Sequence, residues 1–387
     1  MNPRQQFEAR LTAALHDLHG AGLLRQMRLP AGVDLVSNDY LGLAGHPALT
    51  TAMHEALGTW PAGSGGSRLL RGHHEIFERI EDRLALFCGS ESALLFGSGY
   101  AANIGLLQAI VGQGDVIFSD ERNHASLIDG VRLTKAPVVV YPHQDLDALE
   151  TALHQPRVGN AIVITESVFS MDGDLTPLCE LADLCERRGA VLIVDEAHAT
   201  GLYGQRGSGR VEEMGLRERV AATVHTGGKA LGSGGAWVAG SRVLRDVMVN
   251  RARTFIFSTA PLPVLGAALG AALDIVREEP NRREDVHRKS LLLRRALDER
   301  GVHAGGTSPI VPIVVGSNEA AISVQNELAA CGFDVRAVRP PSVPRGTARL
   351  RVTVRFPVSD DELLGFAVAA GRLVPTVLVA PRRASSA

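Results

Sequence analysis

The chain has 387 residues, of which 45% are apolar and 21% charged, with a formal net charge of -2 and 41 glycines. This length allows a large domain plus a smaller one, and the composition is that of an ordinary globular protein. The near-neutral charge, without a block of like charges, argues against nucleic acid as a partner. The glycine content indicates many tight turns and close backbone approaches.

Several features lead us to expect a soluble cytoplasmic protein. Residues 1–6 are polar and lack the apolar core of a signal peptide. The nearest candidate for a membrane span, 363–380, contains Arg372 and Pro375, which favours a packed helix and strand over a transmembrane segment. The four cysteines form no C-x-x-C pair and show no zinc-like spacing, so we expect reduced thiols and no metal site.

Helical and strand patterns alternate along most of the chain. Apolar residues at helical spacing, Phe7, Leu11, Leu15 and Leu18, predict an amphipathic helix within the first ~30 residues. A short strand at 33–37 and a turn at 38–42 follow. Helices are then predicted at 75–88 and 100–110, and short apolar strands at 93–96, 116–118, 138–141, 161–165 and 191–194.

Short apolar strands separated by helices predict a mostly parallel sheet covered on both faces. Ligands of such sheets bind outside the carboxyl ends of the strands. Asp120, Glu166, Asp195 and the loop before Lys229 follow such ends, so the sequence predicts a site at that edge.

The second half of the chain predicts a smaller α+β domain. Helices are expected at 261–278, 282–300, 319–331 and from Ser359, and strands at 309–315 and 348–354. We therefore divide the chain into an N-terminal helix and arm (1–45), a large domain (46–285) and a small C-terminal domain (286–387), with a disordered tail at 382–387.

A lysine in a glycine-rich loop carries the clearest chemical signal. Small residues on both sides of Lys229, within 226–235, would let a bulky ring approach the backbone. Lysine forms a Schiff base with the aldehyde of pyridoxal 5'-phosphate (PLP), and an acid is the usual partner of the pyridine nitrogen. Asp195 ends a buried strand, where an unpaired carboxylate would be costly. The sequence therefore predicts a PLP site, with Thr226 able to offer a hydroxyl to the phosphate.

Other motifs of the chain allow different interpretations. Residues 195–198 spell the DEAH sequence of some helicases, but the only Gly-Lys pair lacks the following Ser or Thr of a phosphate-binding loop. No G-x-S-x-G elbow is present, which argues against an α/β-hydrolase. His124 either caps the helix after it or stacks on a cofactor ring, and the residues alone leave both open. The stretch 63–68 favours a backbone-amide site or a subunit contact over a linker.

Together these residues resemble the α-oxoamine synthases, a branch of the fold type I PLP enzymes. The match runs from Asn38 to Val354 and includes 37–43, 63–68, 98–103, 123–126, 165–174, 195–201 and 228–232. The resemblance implies an α/β fold, with a large domain of mostly parallel sheet and a smaller α+β C-terminal domain. It also implies PLP as cofactor and a homodimer with shared active sites. The stretch 339–351 is most similar to members that join L-alanine to pimeloyl-CoA, or to a pimeloyl-carrier protein, with release of CO2.

The resemblance further implies a role for each matching position. The catalytic residues would be Lys229 as the Schiff-base lysine, Asp195 beside the pyridine nitrogen, His198 on the phenolic oxygen and His124 stacked on the ring. The phosphate would be held by Gly99, Tyr100 and Thr226, and from the partner subunit by Ser258 or Thr259. Glu166 and Ser170 would line the site, Arg351 would bind the amino-acid carboxylate, and Ser342 and Arg25 would contact the acyl substrate.

The chain departs from the family pattern at two places. The stretch 25–37 is shorter than in many relatives, and Arg355 follows Arg351 where relatives have a small or polar run. Three rival functions remain: another pairing of amino acid and acyl-CoA, such as that of a glycine C-acetyltransferase, an aminotransferase, and a non-catalytic regulatory subunit. The last would be expected to lose Lys229, which is present.

Overall fold

The computed structural model describes residues 1–379 of the chain. Its helices are α1 (Pro3–Gly20), α2 (Pro47–Leu57), α3 (Glu75–Cys88), α4 (Gly99–Ile110), α5 (Ala125–Thr134), α6 (Leu146–Leu153), α7 (Leu178–Arg188), α8 (Arg210–Glu213), α9 (Arg242–Arg251), α10 (Arg253–Ile256), α11 (Val264–Glu278), α12 (Asn281–Asp298), α13 (Asn318–Ala330) and α14 (Asp360–Val379). Its strands are β1 (Val33–Asp34), β2 (Ser92–Phe96), β3 (Val116–Asp120), β4 (Val138–Tyr141), β5 (Ala161–Glu166), β6 (Ala190–Asp195), β7 (Ala222–Thr226), β8 (Ala236–Gly240), β9 (Ile310–Gly316), β10 (Phe333–Asp334), β11 (Arg336–Val338) and β12 (Ala348–Thr353).

A seven-stranded sheet in the order β2-β8-β7-β6-β5-β3-β4 organises the larger part of the described chain. Within the run β7-β6-β5-β3-β4, each strand is parallel to its neighbours. Strand β8 is antiparallel to both β2 and β7. The predicted mostly parallel sheet is therefore confirmed. Because the carboxyl ends of parallel strands meet at one edge, Asp120, Glu166, Asp195 and Thr226 end on the same side of the sheet.

The sheet is covered on both faces because alternate residues of a strand point to opposite sides. On β5, Ile162 and Ile164 belong to the apolar cluster that contains Leu106 of α4, whereas Ala161 and Val163 belong to the cluster of α6 and α7. Full burial of each such Ile or Val stabilises the fold by about 1.5–3 kcal/mol. With both faces covered by helices, the strand ends remain as the place for a site.

A second apolar core belongs to the C-terminal part of the chain. An antiparallel sheet in the order β11-β12-β9 packs with α12, α13 and α14 around residues such as Leu350, Val352 and Phe366. Leu35 joins this core, and β1 pairs in parallel with β10. The segment after α1 is therefore tied to the C-terminal part, while the domain boundaries at 45/46 and 285/286 stay predictions.

Some predicted elements differ from those observed. Helix α1 ends at Gly20, about ten residues earlier than the predicted limit of ~30, and Gly22 follows with a left-handed φ of +64°. Strands β7 and β8 are absent from the prediction. Polar residues alternate with apolar ones in β7, whereas β8 is a short apolar run that directly follows the glycine-rich loop of Lys229 and could have been recognised. Of the helix and strand predicted at 363–380, the helix is confirmed and the strand is wrong, because residues up to Val379 belong to the single helix α14.

Two further predictions concern the tail of the chain and the absence of a membrane span. The tail at 382–387 lies outside the described residues. Within the described part, no helix is long and apolar enough to cross a membrane.

Candidate active site

Two buried carboxylates lie side by side at the carboxyl edge of the large sheet. The strand register places Glu166 of β5 opposite Asp195 of β6. The Asp195 carboxylate accepts hydrogen bonds from Asn103 Nδ2 (2.7 Å) and from the backbone N–H of Ala197 (2.8 Å). Burial, with the charge of Asp195 adding to it, raises the pKa of Glu166. This pair gives the site a negative centre that favours a cationic partner.

Lys229 lies in the loop that joins β7 to β8, and its glycines allow the chain to fold closely there. Gly232 has a φ of +59°, and a Cβ at this position would meet the backbone nitrogen of Ala44 at 2.2 Å. Burial lowers the pKa of Lys229 to about 8, although Asp195 and Glu166 act in the opposite direction. The lysine amine is therefore partly neutral near physiological pH, as a nucleophile or base requires.

The first turn of α4 forms a cradle for an anion. The side chain of Ser98 caps this helix by accepting from the N–H of Ala101 (3.2 Å). The first N–H groups of a helix and its dipole attract phosphate. A Cβ at Gly99 would meet the Cγ2 atom of Thr226 at 2.7 Å, so the end of β7 closes against the start of the helix. Gly99, Tyr100 and Thr226 are thus brought together as the sequence predicts.

Two histidines border this centre. The hydroxyl of Tyr40 lies 2.8 Å from Nδ1 of His198, and burial, with the charges of Lys229 and Arg351, lowers the pKa of His198 well below its usual value. Burial raises the pKa of Tyr40 to about 12, so both groups are neutral at physiological pH. His124 precedes α5, and its ring meets that of Tyr100 edge-on at 6.5 Å between centroids.

Arg351 reaches the site from β12 of the small sheet. Its guanidinium donates to the backbone oxygen of Ser170 (2.6 Å), the side chain of Asn38 (3.0 Å) and the hydroxyl of Thr353 (3.0 Å). All three acceptors are neutral, and within the described residues no carboxylate pairs with this buried arginine. A planar, charged donor in this state is suited to a substrate carboxylate.

A cleft of about 520 Å³ opens between the two parts of the molecule. His124, Ser170 and Ser342 line it together with apolar groups that include Met171 and Val343. The structure thus brings Ser342 to the same cleft as His124. Apolar residues form about half of this lining, and polar or charged residues that include Arg122 and Asp172 form the rest, so the cleft can take a chain that is apolar along its length and carries polar groups at its ends.

The remaining predicted residues lie elsewhere. Arg25 lines a separate cleft with Arg28 and Arg339, and it donates to the backbone oxygen of Pro340 (3.3 Å). Ser258 and Thr259 are exposed after α10, and within the described residues no hydrogen bond joins them to this site. Their predicted contacts with an acyl chain and with a partner's phosphate stay predictions.

Arg355, which departs from the family pattern, does not line the substrate cleft. Its guanidinium pairs with Asp34 and Asp39 (3.1 Å to Asp39) and donates to the backbone oxygen of Asp39 (3.0 Å). This arginine therefore holds the turn after β1 against the small domain, and its position leaves the cleft free for an acyl chain.

Sequence reasoning missed the residues that support the site. Asn103 bonds to Asp195 and to Ser126, and Ser126 in turn bonds to His124. Tyr40 contacts His198. Asn103 lies one helical turn after Gly99, on the same face of α4, and this spacing is a signal that could have revealed it. The partner of Tyr40 lies 158 residues away in the chain, and no local pattern predicts such a contact.

Comparison with known proteins agrees with this geometry. The family model for class I and II aminotransferases matches residues 30–369. The 8-amino-7-oxononanoate synthases of Geobacter sulfurreducens and Anaeromyxobacter dehalogenans are 44% and 46% identical to this chain, over 93% and 91% of it and over 96% and 89% of their own lengths. A solved serine palmitoyltransferase with PLP superposes with a TM-score of 0.89 at 27% identity, covering 97% of this chain and 100% of that one.

The fold and the site thus define a PLP-dependent transferase of fold type I. The chain belongs to the class I and II aminotransferase family and, within it, to the branch of the 8-amino-7-oxononanoate synthases. This confirms the family predicted from the sequence motifs.

The residues present fit PLP. A lysine amine of lowered pKa, a carboxylate on the neighbouring strand and a capped helix N-terminus supply the three groups that this cofactor needs. The Oε1 atom of Glu166 is buried without a hydrogen-bond partner, which leaves an acceptor available beside Lys229 and Asp195. Lys229, Asp195 and the start of α4 would hold the aldehyde, the pyridine nitrogen and the phosphate, respectively.

Proposed function

We propose that this protein joins L-alanine to pimeloyl-CoA, or to a pimeloyl-carrier protein, and forms 8-amino-7-oxononanoate in biotin biosynthesis. CoA and CO2 are the other products. The observation that carries the proposal is the group formed at the carboxyl edge of the sheet by Asp195 and Glu166, by Lys229 with its lowered pKa, and by Arg351, which no carboxylate pairs with among the described residues. Two relatives, 44% and 46% identical over 93% and 91% of this chain, are named 8-amino-7-oxononanoate synthases, which supports the proposal.

Arg351 and Lys229 divide the handling of the amino acid. Arg351 would bind the carboxylate of L-alanine, which fixes the Cα–H bond toward the lysine. When bound, PLP supplies an electron sink that stabilises negative charge at the alanine Cα. Asp195 would keep the pyridine nitrogen protonated, and its hydrogen bonds from Asn103 and Ala197 hold its carboxylate in place for this.

Lys229 would act as the base. At a pKa of about 8, about one molecule in ten carries a neutral amine at pH 7, against about one in 3000 at the ordinary value near 10.5. The amine nitrogen takes the proton from Cα, and Cα then bonds to the acyl carbon as the carbon–sulfur bond breaks. The thiolate leaves, the carboxylate departs as CO2, and a proton returns to carbon. His124 and His198 are the candidate donors to the oxygen that gains charge at the acyl carbon.

Release of free CoA thiol tests this function. PLP-loaded protein is incubated with a grid of small amino acids and acyl-CoAs, and we expect release only with L-alanine and pimeloyl-CoA. Another productive pair would keep the chemistry and change the substrate. Release with no pair, while 2-oxo acids regenerate the cofactor aldehyde, would indicate an aminotransferase. Release that appears only with pimeloyl-carrier protein would change the donor.

Lys229→Ala provides the decisive variant, because it removes the amine of lowered pKa that would act as the base. We expect multiple turnover to be abolished. Lys289→Ala is the matched control, since Lys289 is a buried lysine that pairs with Asp285 (2.6 Å) in α12, away from the site. Sustained turnover by Lys229→Ala would contradict the assignment.

We further propose a cytoplasmic homodimer. Ser258 and Thr259 are exposed in this chain and offer hydroxyls that a partner's phosphate site could use. Light scattering of the purified protein measures the assembly. A monomer that retains full turnover would contradict the shared site.

A further inference from the structure

A buried path of hydrogen bonds joins Asp195 to His124. Asn103 Nδ2 lies 2.7 Å from Oδ2 of Asp195 and 2.9 Å from Oγ of Ser126, and that Oγ lies 2.8 Å from Nδ1 of His124. Asn103 is 2% exposed and Ser126 is 1% exposed. Neither residue binds substrate in the function proposed above, so the path needs another explanation.

The direction of the first two hydrogen bonds follows from the donors available. An ionised carboxylate only accepts, so the NH2 group of Asn103 must face Asp195. The amide oxygen of Asn103 is buried without a hydrogen-bond partner, and turning the amide over would place that oxygen against the carboxylate. The same NH2 group donates to Ser126. The Ser126 oxygen is therefore an acceptor on that side, and its own hydrogen points to His124.

Two donors of Ser126, its backbone N–H and its hydroxyl, together set the state of the histidine ring. The N–H of Ser126 lies 3.2 Å from Nδ1 of His124 and points to it, and a backbone N–H cannot accept a hydrogen bond. Nδ1 must therefore be the unprotonated nitrogen of the neutral ring, with its lone pair facing both the N–H and the hydroxyl of Ser126. The proton of the neutral ring lies on Nε2.

This state also disfavours a charged ring. A second proton would have to go onto Nδ1, where the backbone N–H of Ser126 already points. Partial burial lowers the pKa of His124, Asp195 opposes that shift, and Lys229 adds to it. The other groups nearby are Glu166, which accepts from the backbone of His124, and Tyr100, whose hydroxyl is bonded to Asp129.

We infer that Asn103 and Ser126 are positioning residues that hold His124 in its Nε2–H form, so that its outer nitrogen is a fixed hydrogen-bond donor in the substrate cleft. The importance of that donor rests on the proposed function, in which the acyl oxygen gains charge beside His124. The path also makes the orientation of the donor depend on Asp195. His124 therefore donates a hydrogen bond and does not serve as the base.

Nitrogen NMR tests the tautomer without any substrate. The full-length, PLP-loaded protein is labelled with 15N-histidine, and His124→Asn identifies the two ring signals of this residue. We expect the Nε2–H pattern in the wild type. In both Ser126→Ala and Asn103→Ala we expect the signals to shift toward a mixture of the Nε2–H and Nδ1–H tautomers. Ser126→Ala removes the hydroxyl that donates to Nδ1, and Asn103→Ala removes the amide that orients this hydroxyl.

The turnover number, kcat, gives a second test. It would not change in this specific way if Ser126 only stabilised the fold. For Ser126→Ala we expect about a tenfold fall in kcat with little change in KM for L-alanine, the loss expected when one hydrogen bond no longer fixes the ring. Ser126→Thr keeps the hydroxyl and should recover most of the rate. Ser290→Ala is the matched control, because Ser290 is equally buried at 1% exposed but its hydroxyl donates to the backbone oxygen of His287, away from the site.

An Nδ1–H pattern in the wild type would overturn the inference. Wild-type ring signals together with wild-type kcat in both Ser126→Ala and Asn103→Ala would also overturn it. Because the NMR result needs no acyl donor, a negative CoA-release assay would refute the proposed function and leave the tautomer measurement valid.

Discussion

The contact between Gly99 and Thr226 gives the sharpest test of the phosphate cradle. A Cβ added at Gly99 would lie 2.7 Å from Cγ2 of Thr226, well inside ordinary van der Waals contact. The threonine must then turn or the helix start must move. Either change alters the geometry with which Thr226 and the first N–H groups of α4 would together hold a phosphate.

The size of the effect follows from what the cradle would lose. A hydrogen bond to a charged group contributes about 1.5–3 kcal/mol. At about 1.4 kcal/mol per factor of ten in affinity, the loss of one such bond weakens PLP binding about 10- to 150-fold. The substitution also replaces glycine by a better helix former, which stabilises the fold by at most about 1 kcal/mol. The expected result of Gly99→Ala is therefore a folded protein that binds PLP poorly.

Titration of the apo-protein with PLP, followed by absorbance, measures the dissociation constant. Gly97→Ala is the matched control, since it makes the same change two residues earlier, where a Cβ would have nothing within 4 Å. Thermal unfolding of both apo-variants separates lost affinity from lost structure. A dissociation constant for Gly99→Ala within twofold of that for Gly97→Ala would refute the cradle.

Three other sites have equally specific expected outcomes. Burial lowers the pKa of His143, but its bonds to Asp120 and Asp174 outweigh this and raise it to about 9. Because the pKa of an unfolded histidine is near 6.5, His143 stabilises the folded state by about 3 kcal/mol below pH ~6.5, and this contribution is lost as pH rises through about 9. The free energy of unfolding in urea should show this pH dependence in the wild type and not in His143→Gln. Arg351→Lys keeps the charge but loses the planar fork, so kcat/KM for L-alanine should fall about 100-fold, mainly through KM; an unchanged KM would speak against carboxylate binding. Asp195→Asn should still bind PLP, as seen by absorbance, but exchange the α-proton of L-alanine about 100- to 1000-fold more slowly; exchange at the wild-type rate would exclude its role at the pyridine nitrogen.

The sheet and its functional edge could be predicted because their signals are local. Strands such as β5 and β6 are continuous apolar runs, and each ends in an acid. Parallel pairing then brings Glu166 and Asp195 together without further information. Strand β7 escaped prediction because Thr223 and His225 interrupt its apolar pattern, although both contact each other in the structure.

The supporting contacts of the site could not be predicted in this way. The Asn103 amide meets Asp195 across 92 residues of chain, and the Arg351 guanidinium meets Asn38 across 313. Such pairs depend on how whole elements pack, and helical or strand periodicity carries no information about them. The motifs quoted from the sequence contained Asn38 and Asn103, but their spacing alone gave them no partner.

The arginines of the β12 region show how charge pairing separates roles that the sequence leaves alike. Arg349 and Arg351 are two residues apart on one strand and so point to the same face, where both reach the loop that carries Ser170 and Asp172. Arg349 pairs with Asp172, and Arg355 pairs with Asp34 and Asp39. The charges of Arg349 and Arg355 are therefore already balanced by carboxylates, and their ion pairs join the region of β12 to other segments of the chain. Of these three arginines, only Arg351 bonds to neutral oxygens alone, so a substrate carboxylate would complete its charge balance rather than displace an existing ion pair.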